Sequence, residues 1–572
     1  MPDLGTVVVD AREATLMDEA SGTMHLTRRR FLRLVGLSAA ASLLVACAPI
    51  GTPSPTAKPA EPKPAEPKPA EAKPAEAKPA PTAAPVANAG EATKPAAAQP
   101  AARGGTLRIA TGGPLESLFP FRFVEPTLVG QLYDSLVRYD EQLRPQPRLA
   151  ERWQFSPDKT SITFSLRPNA TFHSGKPLTS EDVAYTYRFL TDPKNSSNIG
   201  DYIALIKDVA TPDPRTVQFT FKAPTPAALD MFDLFWVIEN GATELTTQPA
   251  GTGPFVLKDW KPGQTARVER NAAYWDSGMP LLDAIDFRVV GDVETRMLNL
   301  RGNASDFVTQ VTVKDVPTLK RDGFESVPAG AGFFDVLLNV SYGPLAKPEV
   351  RRAISHAINR PRFSQTILER TVEPACLPFP KASLAFDAAL DQSCQYDVEK
   401  AKGLLAQAGL ADGFDVTVLT TLGSGQESGK LAELIQNDLQ AVKIRVKIDN
   451  VETAAYQALQ RKGEFQMAIH TFGFSNRDPG SLFLTASVWK AEGNSSNYRN
   501  TTYADLVTRA ATTVDESQRK ALYGQLATQI LDDPFVLVIA PSARPNAWTS
   551  RVKDVSWNAD GYLQLDRTWL AQ

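Results

Sequence analysis

Short apolar runs with a period of two alternate along the chain with longer runs in which apolar residues recur every three or four positions. The first pattern predicts strands at residues 106–110, 161–166, 216–221, 266–269, 333–340 and 415–420. The second predicts helices at 350–358, 398–408 and 431–439. A further helix is expected to start at Thr179-Ser180-Glu181-Asp182, where a hydroxyl can cap the first turn and acids suit its positive end. Gly409 is expected to stop the second predicted helix. Interleaved strands and helices over this length give an α/β fold class with more than one lobe.

Composition narrows the partners. The chain has 572 residues, 43% hydrophobic and 22% charged, which suits two or three globular domains. Its net charge of −3 carries no basic footprint, so no nucleic-acid partner is expected. The 4 His and 3 Cys are scattered, so no metal site and no cofactor is expected.

The first hundred residues read as an address and a tether. Thr27-Arg28-Arg29-Arg30-Phe31-Leu32-Arg33 is a cationic stretch, followed by an uncharged run over 34–46 that ends at Cys47. That is the layout of a secretory signal, and the run falls short of the ~20 residues a spanning helix needs. Arg28-Arg29 resembles a twin-arginine export signal. Leu44-Val45-Ala46-Cys47 resembles a bacterial lipobox, in which the Cys thiol takes a diacylglycerol. Residues 1–47 are therefore assigned to the signal and Cys47 to lipidation. Residues 48–103 repeat Lys-Pro-Ala-Glu units and then Ala/Pro, too polar and Pro-rich to fold, and are assigned to a semi-rigid tether. Export also permits a bond between Cys376 and Cys394, which would add ~3 kcal/mol by loop closure; two buried free thiols are the alternative.

From Gly104 onward a series of motifs accumulates. Pro147-Arg148-Leu149-Ala150-Glu151-Arg152-Trp153 is followed by Ser156-Pro157-Asp158, Phe172-His173-Ser174-Gly175 and Glu181-Asp182-Val183. Gly251-Thr252-Gly253-Pro254-Phe255, Arg270-Asn271-Ala272-Ala273-Tyr274-Trp275, Asn339 with Val350-Arg351-Arg352-Ala353-Ile354, and Ala401-Lys402-Gly403-Leu404-Leu405 complete the series. This ordered set resembles the large solute-binding proteins of ABC importers, family 5, which include dipeptide, oligopeptide and nickel binders.

The resemblance implies a periplasmic-binding-protein-like fold with three domains in two hinged lobes. Domain I would comprise 104–145, 250–335 and 541–572, domain II 146–249, and domain III 336–540. It also implies an extracytoplasmic monomer that captures a small solute, with an ABC permease, its ATPase and the membrane, through the lipid, as partners. His173, Gly251 and Gly253 are expected to be structural, and Arg351 and Arg352 solvated or paired.

Segment 471–483 resembles the family's pocket motif, which closes on Asp478-Pro479. Phe472, Phe474, Ser475, Asn476 and Asp478 are thus candidate ligand contacts, as is Asn339. Phe235 and Trp236 are candidates for either the cleft wall or the core. In peptide binders an Asp of this motif meets the ligand ammonium; here that position holds Ser475, which cannot supply a charge-assisted bond. Peptides lead as the expected ligand, with oligosaccharides stacked on Phe472 and Phe474 as the alternative. The position after Asp478-Pro479 is Gly480 rather than a metal-suited His, which disfavours nickel. An exported enzyme finds no support: no G-x-S-x-G elbow occurs, and the phosphate-loop pattern fails at Ser424 and Leu431. A purely structural lipoprotein would share the leader and tether but would not need the hinge motifs.

Overall fold

The computed structural model describes residues 102–121, 126–195, 197–329, 332–421, 426–472, 478–542, 544–558 and 561–572. The signal with Arg28, Arg29 and Cys47, the tether up to residue 101, and Phe474, Ser475 and Asn476 lie outside the described residues, as does the side chain of Phe472.

Three sheets organise the folded chain. The first has seven strands, ordered Glu325–Ala329, Arg544–Trp548, Phe307–Val308, Thr106–Thr111, Ala284–Val289, Thr265–Arg270 and Phe255–Lys261. Thr106–Thr111 runs parallel to both neighbours. The second sheet has four antiparallel strands, ordered Ala150–Phe155, Ser161–Leu166, Thr216–Phe221 and Ile206–Asp213. Its middle strands alternate buried and partly open positions, which is the period-two pattern of a sheet with one covered face. Leu107, Ile109 and Phe287 of the first sheet share one core with Ile162, Phe164, Val217 and Phe219 of the second, so these two sheets form one lobe.

The third sheet is ordered Arg445–Asn450, Asp415–Thr420, Met467–Phe472, Phe333–Leu338 and Val536–Pro541. One face packs Phe333, Leu337 and Val538 with residues of helices Gly480–Thr485, Thr501–Thr512 and Glu516–Asp532. The other packs Phe334, Val336 and Leu338 with helices Pro348–Ala357, Val398–Gln407 and Gln426–Gln440. Covered on both faces, Phe333–Leu338 is buried at every position, which explains its unbroken apolar run apart from Asp335. This sheet and its helices are the second lobe.

The first lobe's strand Glu325–Ala329 precedes, and its strand Arg544–Trp548 follows, the stretch of chain that builds the second lobe from Phe333 to Pro541. The expected boundaries move accordingly. Residues 333–335 belong to the third sheet, because Phe333 pairs with both Phe472 and Pro541. Pro541 joins them, so the first lobe resumes only with the strand Arg544–Trp548.

Several motif residues hold this frame together. A Cβ at Gly251 or Gly253 would lie 2.1 or 2.4 Å from the backbone oxygens of Leu132 and Gln131, so only glycine permits that approach. The Gly253 carbonyl accepts from His173 Nε2 and Asn271 Nδ2, both at 3.0 Å. Burial lowers the His173 pKa, so the ring stays neutral with its proton on Nε2. Thr179 and Asp182 form a reciprocal capping box at the start of Ser180–Thr191. Gly409 follows the helix Val398–Gln407 at φ +74°. Arg351 is buried and donates to the carbonyls of Pro534 and Leu345 and to Asp533. Cys376 and Cys394 are joined by a disulfide with Cα atoms 5.9 Å apart.

Candidate functional site

The lobes meet where helix Ala228–Asp233 of the first faces helix Gly480–Thr485 of the second. At the seam Ser481 Oγ donates to Asp230 Oδ2 at 3.1 Å, and both residues are buried. Asp230 is also held from its own lobe by the Tyr139 hydroxyl. Burial, together with the charges of Asp230, Asp233 and Asp478, pushes the Tyr139 pKa well above its ordinary value, so this phenol remains a donor. Asp233 lies one helical turn after Asp230 and is also buried. Near the rim, Lys490 Nζ of the second lobe stands 3.9 Å from Asp201 of the first.

Beside Tyr139 lies Arg138, only 4% exposed. Its guanidinium covers the Trp236 ring at 4.9 Å, and that ring lies 6.1 Å from Tyr562. Its Nε and Nη2 are sealed from solvent and find no acceptor among the described residues. Burial first, then the charge of Arg148, lowers its pKa, while Asp134 and Asp233 oppose that shift. Sealed donors of a cation without acceptors are costly unless something else supplies them.

Asp478 stands on the second-lobe wall, but its carboxylate is consumed by its own lobe. Oδ1 accepts from the Tyr523 hydroxyl and from Gly480 N at 3.4 Å, and Oδ2 accepts from Arg519 Nε at 2.8 Å. Arg519 also donates to the carbonyls of Thr513 and Val514. Arg519 and Tyr523 sit four residues apart on one helix face and grip the end of the pocket segment through Asp478. Asp478 therefore positions this segment, and its expected ligand contact is corrected.

Two other expectations change. Asn339 donates from Nδ2 to the carbonyls of Gly463 and Phe465, at 2.9 and 2.6 Å, and its Oδ1 accepts from Ser341 N and Asn497 Nδ2. Its side chain knots a turn and has no capacity left for a ligand. Phe235 is fully buried and packs on Phe219 and Phe232, each at 5.9 Å, so it belongs to the core. Trp236, also buried, lies under the Arg138 guanidinium.

The sequence reading passed over the seam residues Tyr139, Asp230 and Ser481, and the buried Arg138 and Asp233 and the half-buried Tyr562 near them in the first lobe. One signal was available. Asp230 and Asp233 are acids at helical spacing inside the otherwise apolar run 227–238, where burial of a carboxylate needs a reason. A second buried acid, Asp335, faces His470 across paired strands, with Nδ1 3.8 Å from its carboxylate. Burial pushes Asp335 up to about 6, against the pull of His470.

Two lobes joined by two crossings and closed on a buried polar seam define the solute-capturing class of binding protein. The chain belongs to the bacterial extracellular solute-binding proteins, family 5, whose middle region matches residues 144–493. It is thus an extracytoplasmic solute-binding protein of the ABC-importer type. Among relatives, the di/tripeptide-binding protein 2 of Pseudomonas aeruginosa is 28% identical over 497 residues, 79% of this chain and 92% of its own length. Among solved structures, the periplasmic binding protein DppA of Helicobacter pylori, in complex with the peptide STSA, superposes with a TM-score of 0.71. It is 26% identical, and the match covers 82% of this chain and 99% of that one. The binding protein AgaA of A. tumefaciens R10, in complex with agropinic acid, gives a TM-score of 0.71 at 25% identity, covering 82% and 99% of the two chains. Among the described residues no helix is long and apolar enough to cross a membrane.

Proposed function

We propose that this protein captures short peptides between its lobes and delivers them to an ABC permease, held at the outer membrane face by a lipid on Cys47. The observation that carries the ligand class is the pairing of opposite buried charges on the lobe-one wall. Arg138 offers hydrogen-bond donors to a carboxylate, while Asp230 and Asp233 supply negative charge for an ammonium. A peptide carboxylate gives the sealed Arg138 donors their acceptors, whereas a neutral oligosaccharide would leave that buried cation without a counter-charge from the ligand. The acids of helix Ala228–Asp233 thereby take over the role that Ser475 cannot fill. Names of similar proteins support the same reading: a di/tripeptide-binding protein and a structure holding the peptide STSA. Asp230 serves a second purpose, since its bond to Ser481 latches the lobes when the cleft closes.

Thermal melting against di- and tripeptides, cello- and xylo-oligosaccharides, and nickel with small chelators tests the ligand class. At a hundredfold excess over Kd a true ligand stabilises the native chain by ~2.7 kcal/mol. A shift with peptides supports the proposal; a shift with sugars alone sinks the peptide assignment. The lipid anchor is tested by Cys47→Ala, which should move the protein from the membrane fraction to the soluble one.

A further inference from the structure

A cavity of about 240 Å³ opens in the second lobe, away from the lobe-facing helices. Its walls come from helices Pro348–Ala357 and Val398–Gln407, the end of Glu516–Asp532 and the Cys376–Cys394 disulfide. None of the residues at the seam between the lobes lines it. The ionisable groups on its walls are Arg352, His356, Arg360, Lys400 and a single carboxylate, Asp532. With His356 neutral, three cations face one acid.

The four basic groups are held in different ways. Arg360 is buried and fixed by its own lobe, donating to the carbonyls of Val538 and Ser355 at 2.8 Å each. It supplies field rather than contact. Arg352 is about a third exposed and meets Glu349 only at 3.6 Å, while its Nε is sealed with no partner among the described residues. Lys400 reaches the mouth from an exposed position. His356 Nδ1 donates to the Gln395 carbonyl at 2.8 Å, which leaves Nε2 free to take up a proton. Burial lowers the His356 pKa, and Lys400 and Arg360 lower it further, while Asp397 partly opposes them. Glu349 beside Arg352, Asp391 acting on Arg360, Asp397 and the wall residue Asp532 offset part of this positive charge, yet on the cavity wall itself the cations outnumber the acids.

We infer that this cavity is an anion site, built to hold one small dianionic oxyanion of phosphate size between Arg352, Lys400 and His356. The anion would satisfy the sealed Arg352 Nε, balance the excess cations and draw a proton onto His356 Nε2. It would also tie the disulfide loop to the two helices. The site is independent of what the cleft between the lobes binds.

The test is isothermal titration calorimetry of the full chain with sodium sulfate and sodium phosphate, against sodium chloride at matched ionic strength. One saturable sulfate per chain is expected. Because sulfate stays dianionic across this range, its affinity should rise as pH falls from 8 to 5, with proton uptake by His356. The double variant Arg352→Gln/Lys400→Gln should weaken sulfate at least tenfold. His356→Gln should bind sulfate with a flat pH profile, a result that a merely structural histidine would not give. No saturable binding of either ion overturns the inference. So does sulfate affinity that is unchanged in the double variant, or a pH profile that survives His356→Gln. If the double variant fails to fold, the His356→Gln profile alone decides.

Discussion

Replacing Arg138 with Met separates a ligand contact from a structural cation. In the native chain the guanidinium is 4% exposed, with two nitrogens lacking acceptors, and its described attractions are the Trp236 ring and the charges of Asp134 and Asp233. Losing the ring contact costs roughly 0.5–2 kcal/mol. Removing the buried cation returns the desolvation of a guanidinium with two unmet donors, which offsets the lost attraction to Asp134 and Asp233. Stability of Arg138→Met should therefore lie close to the parent or above it, read as the urea midpoint at constant slope. Binding should behave oppositely. A charge-assisted hydrogen bond contributes roughly 1.5–3 kcal/mol, so affinity for the peptide found by melting should fall about 10- to 100-fold in calorimetry. A C-terminally amidated form of that peptide should bind the parent weakly and lose little further in the variant. Arg138→Lys should recover part of the affinity, because the charge returns without the planar fork. A variant that is destabilised by more than about 2 kcal/mol and binds the free acid as before would refute the assignment and make Arg138 a strut of the first lobe.

Three further outcomes follow from buried groups. Asp478→Asn leaves Arg519 buried without its counter-charge and should cost about 3–5 kcal/mol in urea unfolding while also weakening ligand affinity; unchanged affinity would remove the positioning role of the carboxylate. Asp335 is held at about 6, above its unfolded value, so its stabilising contribution is complete below pH 4 and is lost as pH rises through 6. Asp335→Asn should therefore gain up to roughly 3 kcal/mol at pH 8 and flatten the fall in stability between pH 4 and 7. Identical pH profiles for the two proteins would contradict that. Reducing the Cys376–Cys394 bond, or making Cys376→Ser/Cys394→Ser, should lower stability by about 3 kcal/mol, read as melting temperature with and without reductant.

Much of the scaffold was legible because it rests on local periodicity. Strands Ser161–Leu166, Thr216–Phe221 and Asp415–Thr420 have the predicted limits, and the helix starting at Ser180 carries the capping box that its residues promise. The motif series pointed to the family because each piece solves a local problem: Gly251 and Gly253 let two backbones touch, and Arg351 satisfies two buried carbonyls and the half-buried Asp533.

The site was another matter. Asp478 and Asn339 were singled out as polar residues in suggestive segments, yet their bonding capacity is spent on partners that only folding brings near: Arg519 and Tyr523 for the first, Gly463, Phe465 and Asn497 for the second. Phe235 and Trp236 are adjacent and chemically alike, and the pleat and turn of the backbone send one into the core and the other against Arg138. Composition and periodicity by themselves determined an α/β chain with strands and helices in this order. Which buried charges face which is decided by the tertiary structure alone. Asp230 and Ser481 stand 251 residues apart in the chain, and no local pattern encodes a contact that exists only once two lobes have closed on each other.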